Sequence, residues 1–133
     1  MMGRCDGFTF EADSESVRRA RHAVTAFARQ HGVPHHVVGG IALAVSEACT
    51  NVVLHAYRGQ ATRGRFSVDL TLQDAALWVR VRDDGIGVRP RTDSPGLGLG
   101  LPIIASTADS FAIAPCEGGG TELRMRFELG AAA

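Results

Sequence analysis

Residues 46–55 read SEACTNVVLH, and within this stretch Glu47, Asn51 and His55 recur at intervals of four residues. On an α-helix with 3.6 residues per turn, each interval of four drifts by roughly 40° around the axis. The three side chains would therefore form a polar seam along one border of an apolar helix face. A carboxylate, an amide and an imidazole in line can handle water, a metal ion and a phosphate, although a solvated helix edge would carry the same pattern.

The apolar face beside this seam predicts a long core helix over residues 34–57. Pro34 suits the start of a helix, whereas Gly39 and Gly40 weaken its first turns. The apolar positions at helical spacing are Val38, Ile41, Val45, Ala48, Val52 and Ala56.

Outward from this helix, period-two alternation predicts five strands, and helical periodicity predicts two further helices. Asp13 or Ser14 can cap the first helix. The order of elements, β-α-α-β-β-α-β-β, predicts an α+β fold, a two-layer α/β sandwich with helices on one face of a mainly antiparallel sheet. The predicted strands are residues 7–12, 65–72, 77–82, 111–114 and 121–129, and the other helices are residues 14–30 and 98–108.

The composition limits the chemistry that this chain can perform. Its length of 133 residues fits one domain over residues 1–133. Fourteen basic residues balance fourteen acidic ones, so no overall field attracts nucleic acid or an anionic membrane. Every basic residue is arginine, which excludes a P-loop lysine, a Schiff base and a lysine general base.

The cysteines and the hydropathy pattern predict a reduced, cytoplasmic protein. Cys5, Cys49 and Cys116 lie far apart and form no CxxC pair, so neither a zinc site nor a disulfide framework is expected. The most apolar stretch, residues 37–57, is interrupted by polar residues and indicates a core helix rather than a membrane span.

A second polar segment, DDGIG at residues 83–87, directly follows a predicted strand. Glycines at a strand end allow the backbone to approach a ligand closely. A carboxylate at this position, such as that of Asp83, can accept a hydrogen bond from an exocyclic amine like that of adenine. A plain Asp-Gly turn is the alternative interpretation of the same residues.

A third segment, GLGLGL at residues 96–101, precedes a predicted helix. Glycines at a helix start expose backbone N–H groups to a phosphate, at the positive end of the helix dipole. The spacing does not match the dinucleotide-binding fingerprint, and no βαβ unit surrounds it.

Taken together, these segments and the late Gly118-Gly119-Gly120-Thr121 sequence resemble the GHKL ATPase superfamily, which includes gyrase, the heat-shock chaperones, the histidine kinases and the MutL proteins. Asn51 stands in the place of the N-box asparagine of that superfamily. The G1 box is matched by Asp83, Gly85 and Gly87, and the G2 box by Gly96, Gly98 and Gly100. The resemblance implies the two-layer Bergerat-type sandwich.

Within the superfamily, the chain most resembles bacterial anti-sigma factor serine kinases of the RsbW/SpoIIAB type. The phrases that carry this likeness are SEACTNVVLHAY, GLGLPII and GGGTELRMRF. It implies transfer of the γ-phosphoryl group of ATP to a serine of an anti-anti-sigma protein of the STAS class. It also implies binding of a sigma factor and a homodimer, with no direct contact to nucleic acid or membrane.

The resemblance also implies roles for single residues at the phosphate end of the site. Asn51 would coordinate Mg²⁺, for which an amide oxygen is a suitable ligand. Glu47 would act as the general base toward the attacking hydroxyl. His55 would pack or hydrogen-bond near the phosphates. The backbone of residues 96–100, which are Gly96, Leu97, Gly98, Leu99 and Gly100, would wrap the phosphates.

At the adenine end, the resemblance implies that Asp83 binds the amino group of the base and that Gly87 lets the chain pass close to it, with Gly85 as a further nucleotide-binding position of the same box. Thr121 would support the adenine pocket. A lid would span about residues 84–95, shorter than is common in the family. Family members often carry a basic residue just before the G2 glycines, and Arg89 and Arg91 could clamp the γ-phosphate instead or be ordinary exposed arginines.

Two other functions fit the same motifs. A nucleotide-gated binding module would bind ATP and a regulator without phosphorylating anything, but it would have no need of Glu47 as a base. A detached histidine-kinase catalytic domain is disfavoured, because that class generally carries a longer lid.

Overall fold

The computed structural model describes residues 4–57, 64–85 and 101–130. These residues form one five-stranded sheet, three α-helices and a short π-helix. In chain order the elements are β1 Arg4–Glu11, α1 Ser14–Gln30, α2 His35–Asn51, the π-helix Val52–Ala56, β2 Arg65–Gln73, β3 Ala76–Asp83, α3 Leu101–Thr107, β4 Ser110–Pro115 and β5 Thr121–Glu128.

The sheet has the strand order β1-β2-β3-β5-β4, and every pair of neighbours is antiparallel. Alternation along β2 and β3 buries Val68 and Leu70 opposite Val81 and Val79. The opposite face of β3 carries Trp78, which is exposed. The predicted α+β architecture, with a mainly antiparallel sheet, is therefore confirmed.

The core lies between the sheet and the two long helices. Helix α1 has the predicted bounds, and the Asp13 carboxylate caps it by accepting a hydrogen bond from the Ser16 N–H at 2.8 Å. Helix α2 buries every position of the predicted apolar stripe that lies within it, including Ile41 and Val45. By length and composition alone, His35–Ala56 could cross a membrane, but its apolar stripe packs in this core.

The predicted helix over residues 34–57 continues to Ala56, but its last residues are not α-helical. The α-helix stops at Asn51, and the chain continues as a π-helix over Val52–Ala56. A π-turn closes over i→i+5 and holds more residues than an α-turn. Four residues therefore cover less than a full turn of a π-helix. The angle around the helix axis between Asn51 and His55 thus differs from the angle between Glu47 and Asn51.

The largest difference at a strand boundary is the start of β1, which was predicted at residue 7. Strand β1 begins at Arg4, because it pairs with β2 along its whole length from Arg4↔Leu72 to Glu11↔Arg65. Strands β4 and β5 are close to their predicted bounds. Helix α3 begins at Leu101, and residues 98–100 of the predicted helix lie outside the described residues.

The turn of the β2–β3 hairpin allows a test of its backbone geometry, at the opposite end of β3 from Asp83. Asp74 and Ala75 join the paired residues Gln73 and Ala76 with φ values of 54° and 57°, as in the two-residue turns that favour Asp-Gly. We expect Ala75→Gly to raise the free energy of unfolding by about 1 kcal/mol, because glycine has no Cβ penalty in this conformation.

Urea denaturation would measure this change. The matched control is Ala76→Gly, which removes a buried methyl group from β3 and should lower the stability instead. A lower stability of Ala75→Gly would contradict the turn geometry.

Candidate nucleotide-binding site

The polar seam of the long helix is partly accessible. Glu47 and Asn51 lie in the last turns of α2, His55 lies in the π-helix, and all three are half-buried. The buried residues Ala48 and Val52 lie beside them and anchor this segment to the core. Glu47 and Asn51 thus lie along the border of the core, whereas the π-helix changes the direction of His55 relative to them.

Asp83 is the last residue of β3 and faces the helix-covered side of the sheet, because it alternates with the buried Val81. Its carboxylate accepts hydrogen bonds from the backbone N–H of Gly85, at 3.0 Å, and from that of Thr121. Burial raises the pKa of the Asp83 carboxyl above its ordinary value, although the two N–H groups oppose the rise and the nearby Asp84 charge adds to it.

This raised pKa has a consequence for stability. Folding favours the protonated carboxyl, so its stabilising contribution is present in acid and is lost as the pH rises through the folded-state pKa. At neutral pH the ionised Asp83 therefore costs folding free energy. An ionised carboxylate that lowers the folding stability, such as that of Asp83, indicates a candidate functional position.

The end of the last hairpin packs directly against this strand end. Gly120 has φ +91°, and a Cβ there would overlap the carbonyl oxygen of Asp83. Only glycine fits both the backbone conformation and this close approach. Thr121, the next residue, is buried and begins β5. The sequence-predicted Asp83 and Thr121 are therefore brought together, and the backbone of Gly120 holds them.

A second close approach joins the helix end to the same strand end. A Cβ on Gly85 would overlap the carbonyl group of Ala56, the last residue of the π-helix. Ala56 directly follows His55, so the Asp83–Gly85 segment lies against the end of the helix that carries the polar seam. Glycine is needed at position 85 because the two backbones touch.

The remaining predicted positions belong to residues 86–100, which the structure does not describe. The glycines and leucines of the G2 segment, the third glycine of the G1 segment and the two lid arginines lie outside the described residues. They are Gly87, Arg89, Arg91, Gly96, Leu97, Gly98, Leu99 and Gly100. In the part of the chain that the structure describes, no group of three His, Cys, Asp or Glu side chains could hold a metal ion.

Two residues at this site received no role from sequence reasoning. Gly120 was visible as part of a glycine run, but which of the three glycines touches Asp83 depends on the β3–β5 register. Tyr57 follows the seam directly, and its hydroxyl contacts Asp84 at 2.6 Å. Tyr57 ends the phrase SEACTNVVLHAY that carries the family resemblance, but that phrase gave it no role.

The arrangement fits a nucleotide on chemical grounds. An ionised carboxylate can accept about four hydrogen bonds, so Asp83 keeps acceptor capacity for an amine beyond its two backbone partners. Glycines at positions 85 and 120 bring backbone rather than side-chain atoms close to this region, Gly120 against Asp83 and Gly85 against Ala56. The amide of Asn51 is a suitable ligand for a magnesium ion that phosphates also bind.

Comparison with known proteins shows the family to which this sequence is similar. The family model described as "Histidine kinase-like ATPase domain" matches residues 10–127. The anti-sigma F factor of Clostridium acetobutylicum is 28% identical over 128 residues, which covers 88% of both chains. The anti-sigma F factor of Bacillus thuringiensis is 31% identical over 127 residues, which covers 87% of this chain and 86% of that protein.

A solved structure has the same fold. The crystal structure of the RsbU and RsbW domains of a Mycobacterium tuberculosis protein superposes with a TM-score of 0.76 and 22% identity. The superposition covers 98% of this chain and 34% of the solved chain, so this chain spans about a third of that protein.

The Gly120 contact can be tested with a matched glycine. Gly118 has a similar φ of +85°, but a Cβ there would meet no atom within 4 Å, whereas a Cβ on Gly120 would overlap Asp83. We expect Gly118→Ala to cost about 1–2 kcal/mol of unfolding free energy. Gly120→Ala should cost at least about 2 kcal/mol more, because backbone atoms must move apart.

Urea denaturation of both variants would measure the difference. Equal losses for the two alanine variants would show that the backbone conformation, and not the contact with Asp83, accounts for the cost at position 120.

Proposed function

From its membership of the family of histidine kinase-like ATPase domains and, within it, of the anti-sigma factor kinases, we propose a function for this chain. We propose that it is an ATP-dependent protein serine kinase. Its substrate would be a serine of an anti-anti-sigma protein of the STAS class. The observation that carries the proposal is the half-buried Asp83 carboxylate, held at a strand end beside two glycine contacts.

At the adenine end of the site, Asp83 would accept a hydrogen bond from the amino group of the base. The backbone N–H groups of Gly85 and Thr121 fix the carboxylate in position. A hydrogen bond to a charged, partly desolvated acceptor is stronger than one between neutral groups. Gly85, Gly87 and Thr121 would complete the pocket around the base.

At the phosphate end, the amide oxygen of Asn51 would bind Mg²⁺, and His55 would lie near the phosphates. The metal ion supplies charge neutralisation on the phosphate oxygens when it is bound. The backbone N–H groups of residues 96–100 would cradle the same phosphates.

Glu47 would serve as the general base one turn before Asn51. Its carboxylate would accept the proton of the substrate hydroxyl while the serine oxygen forms a bond to the γ-phosphorus. At the same time, the bond between the γ-phosphorus and the β–γ bridging oxygen would break. Phosphoserine and ADP would leave, and the proton would remain on Glu47 until solvent removes it. The half-buried position of Glu47 supports this role, because a base must be reachable by a protein substrate.

The relatives named anti-sigma F factor support partners of two kinds, a sigma factor and an anti-anti-sigma protein. We place the protein in the cytoplasm, where transcription factors act, and infer that it works as a homodimer. Binding of either partner would depend on the nucleotide state. Phosphorylation of the anti-anti-sigma protein would release that protein from the kinase.

Replacing Asp83 tests the nucleotide site. Asp83→Asn removes the anionic acceptor but keeps the side-chain size, so we expect the affinity for MgATP to fall about 10- to 100-fold, as for a lost charged hydrogen bond. Isothermal titration calorimetry would measure it, with circular dichroism as the test of folding.

The matched control for this experiment is Asp109→Asn. The Asp109 carboxylate also accepts a backbone N–H, that of Glu128 at 2.7 Å, but at the opposite end of β5. That variant should bind MgATP like the wild type. A folded wild type that binds neither ATP nor ADP would refute the proposed function.

Replacing Glu47 separates the kinase from a nucleotide-gated module that only binds. In a kinase, Glu47→Gln should lower the transfer rate at least about 100-fold, because general-base catalysis contributes that much, while the affinity for MgATP stays within about twofold. Single-turnover transfer of labelled phosphate to a STAS-domain substrate would measure the rate. A variant that transfers phosphate at the wild-type rate would remove Glu47 from the mechanism.

A further inference from the structure

Tyr57 occupies the junction between the two halves of the proposed site. It directly follows the π-helix Val52–Ala56, and its hydroxyl contacts Asp84, which directly follows Asp83. In the proposed site, the helix end holds the side chains that would lie near the phosphates. The strand end holds the Asp83 carboxylate, which would bind the base. A side chain that joins the two ends can set the distance between them.

The contact between Tyr57 and Asp84 is a two-way hydrogen-bonded link. The hydroxyl donates to Asp84 Oδ1 at 2.6 Å and accepts from the backbone N–H of Asp84 at 3.3 Å. The carbonyl oxygen of Arg65, at the start of β2, also lies within reach of the hydroxyl proton. The link therefore restrains both the side chain and the main chain of Asp84.

The ring of Tyr57 is fixed independently of its hydroxyl. Gly64 packs against the ring so closely that a Cβ at position 64 would overlap it. The carbonyl of Gly64 in turn accepts a hydrogen bond from the N–H of Ala12 at 2.9 Å, which ties this segment to the end of β1. Removing the hydroxyl alone should therefore leave the ring in place.

The hydroxyl is a donor at every pH at which the protein would work. Burial, followed by the hydrogen bond to Asp84, raises the pKa of Tyr57 to about 12. A neutral phenol holds Asp84 without placing a positive charge beside Asp83.

We propose that Tyr57 is a positioning residue for the nucleotide, whose hydroxyl, through Asp84, aligns the strand end that binds the base with the helix that binds the phosphates. This inference rests on the proposed function, and it concerns residues to which the ATP-binding motifs assign no role. The adjacent contact of Gly85 with Ala56 is van der Waals packing and sets no direction, whereas the hydrogen bonds of Tyr57 do.

A double-mutant cycle tests the proposal, with MgATP as the probe. We expect Tyr57→Phe to weaken MgATP binding about three- to tenfold, the factor for one hydrogen bond. Asp84→Ala should weaken it by a similar factor, and the double variant should be no weaker than the weaker single variant. Asp84→Asn keeps an acceptor oxygen and should retain most of the affinity.

The control separates positioning from general loss of stability. Thr25→Val removes a side-chain hydroxyl that bonds to the His22 carbonyl within α1 at 3.2 Å, far along the chain from both motifs. This variant should bind MgATP with wild-type affinity, because the hydroxyl that it lacks contacts neither part of the proposed site. Should Tyr57→Phe fail to fold, the comparison of Asp84→Ala with Asp84→Asn still decides the question.

Three results would overturn the proposal: wild-type affinity in Tyr57→Phe, single effects that multiply in the double variant, or equal losses in Asp84→Ala and Asp84→Asn. Each of these results leaves the proposed nucleotide site standing, provided that the wild type binds MgATP and that Asp83→Asn binds it more weakly. A wild type without any MgATP binding would instead remove the proposed function and this inference together.

Discussion

The pairing register of β3 with β5 is the constraint on which the site depends. It sets Arg82 opposite Glu122 and so leaves Asp83 beside Thr121 and Gly120. Because side chains alternate between the faces of a sheet, a slip of one residue would turn Asp83 to the outer face and remove it from the site. The outer face also favours this register, since the buried Glu122 carboxylate lies between Arg80, Arg82 and Arg124 within ion-pair distance.

The second constraint is the contact between the helix end and the strand end. The α-helix changes to a π-helix at Val52, immediately before the chain meets Gly85. Single π-turns in longer helices are often found at functional sites. Here the wider turn changes the direction of His55 relative to Asn51, and it brings Ala56 and Tyr57 against the residues that follow Asp83. The helix geometry and the position of the carboxylate are therefore parts of one arrangement.

The sequence was most informative where structure depends on local pattern. Helix α1 has a capping aspartate, a regular apolar stripe and a glycine after its end, and its predicted bounds match the structure. The alternation in β2 and β3 likewise gave the correct buried face. Contacts between distant residues were not predictable in this way. The extra length of β1 comes from its pairing with β2, and the Tyr57–Asp84 bond joins residues 27 positions apart.

The same distinction applies to the candidate site. Asp83 and Gly85 could be proposed from their residue types after a predicted strand, and Thr121 from the family resemblance, but the reason that Gly120 must be glycine lies across the sheet. The pair Asp83–Asp84 shows why the surroundings matter. Asp83 ends β3 and is half-buried, whereas Asp84 follows the strand and is exposed, and the charge of Asp84 adds to the cost of ionising Asp83. A cation bound to Asp84 would also place a positive charge near Asp83, which in the proposed site accepts a hydrogen bond from an amine. The Tyr57 hydroxyl, which keeps its proton, instead bonds to Asp84 without adding a charge, so the negative charge of Asp83 would remain available to the proposed ligand.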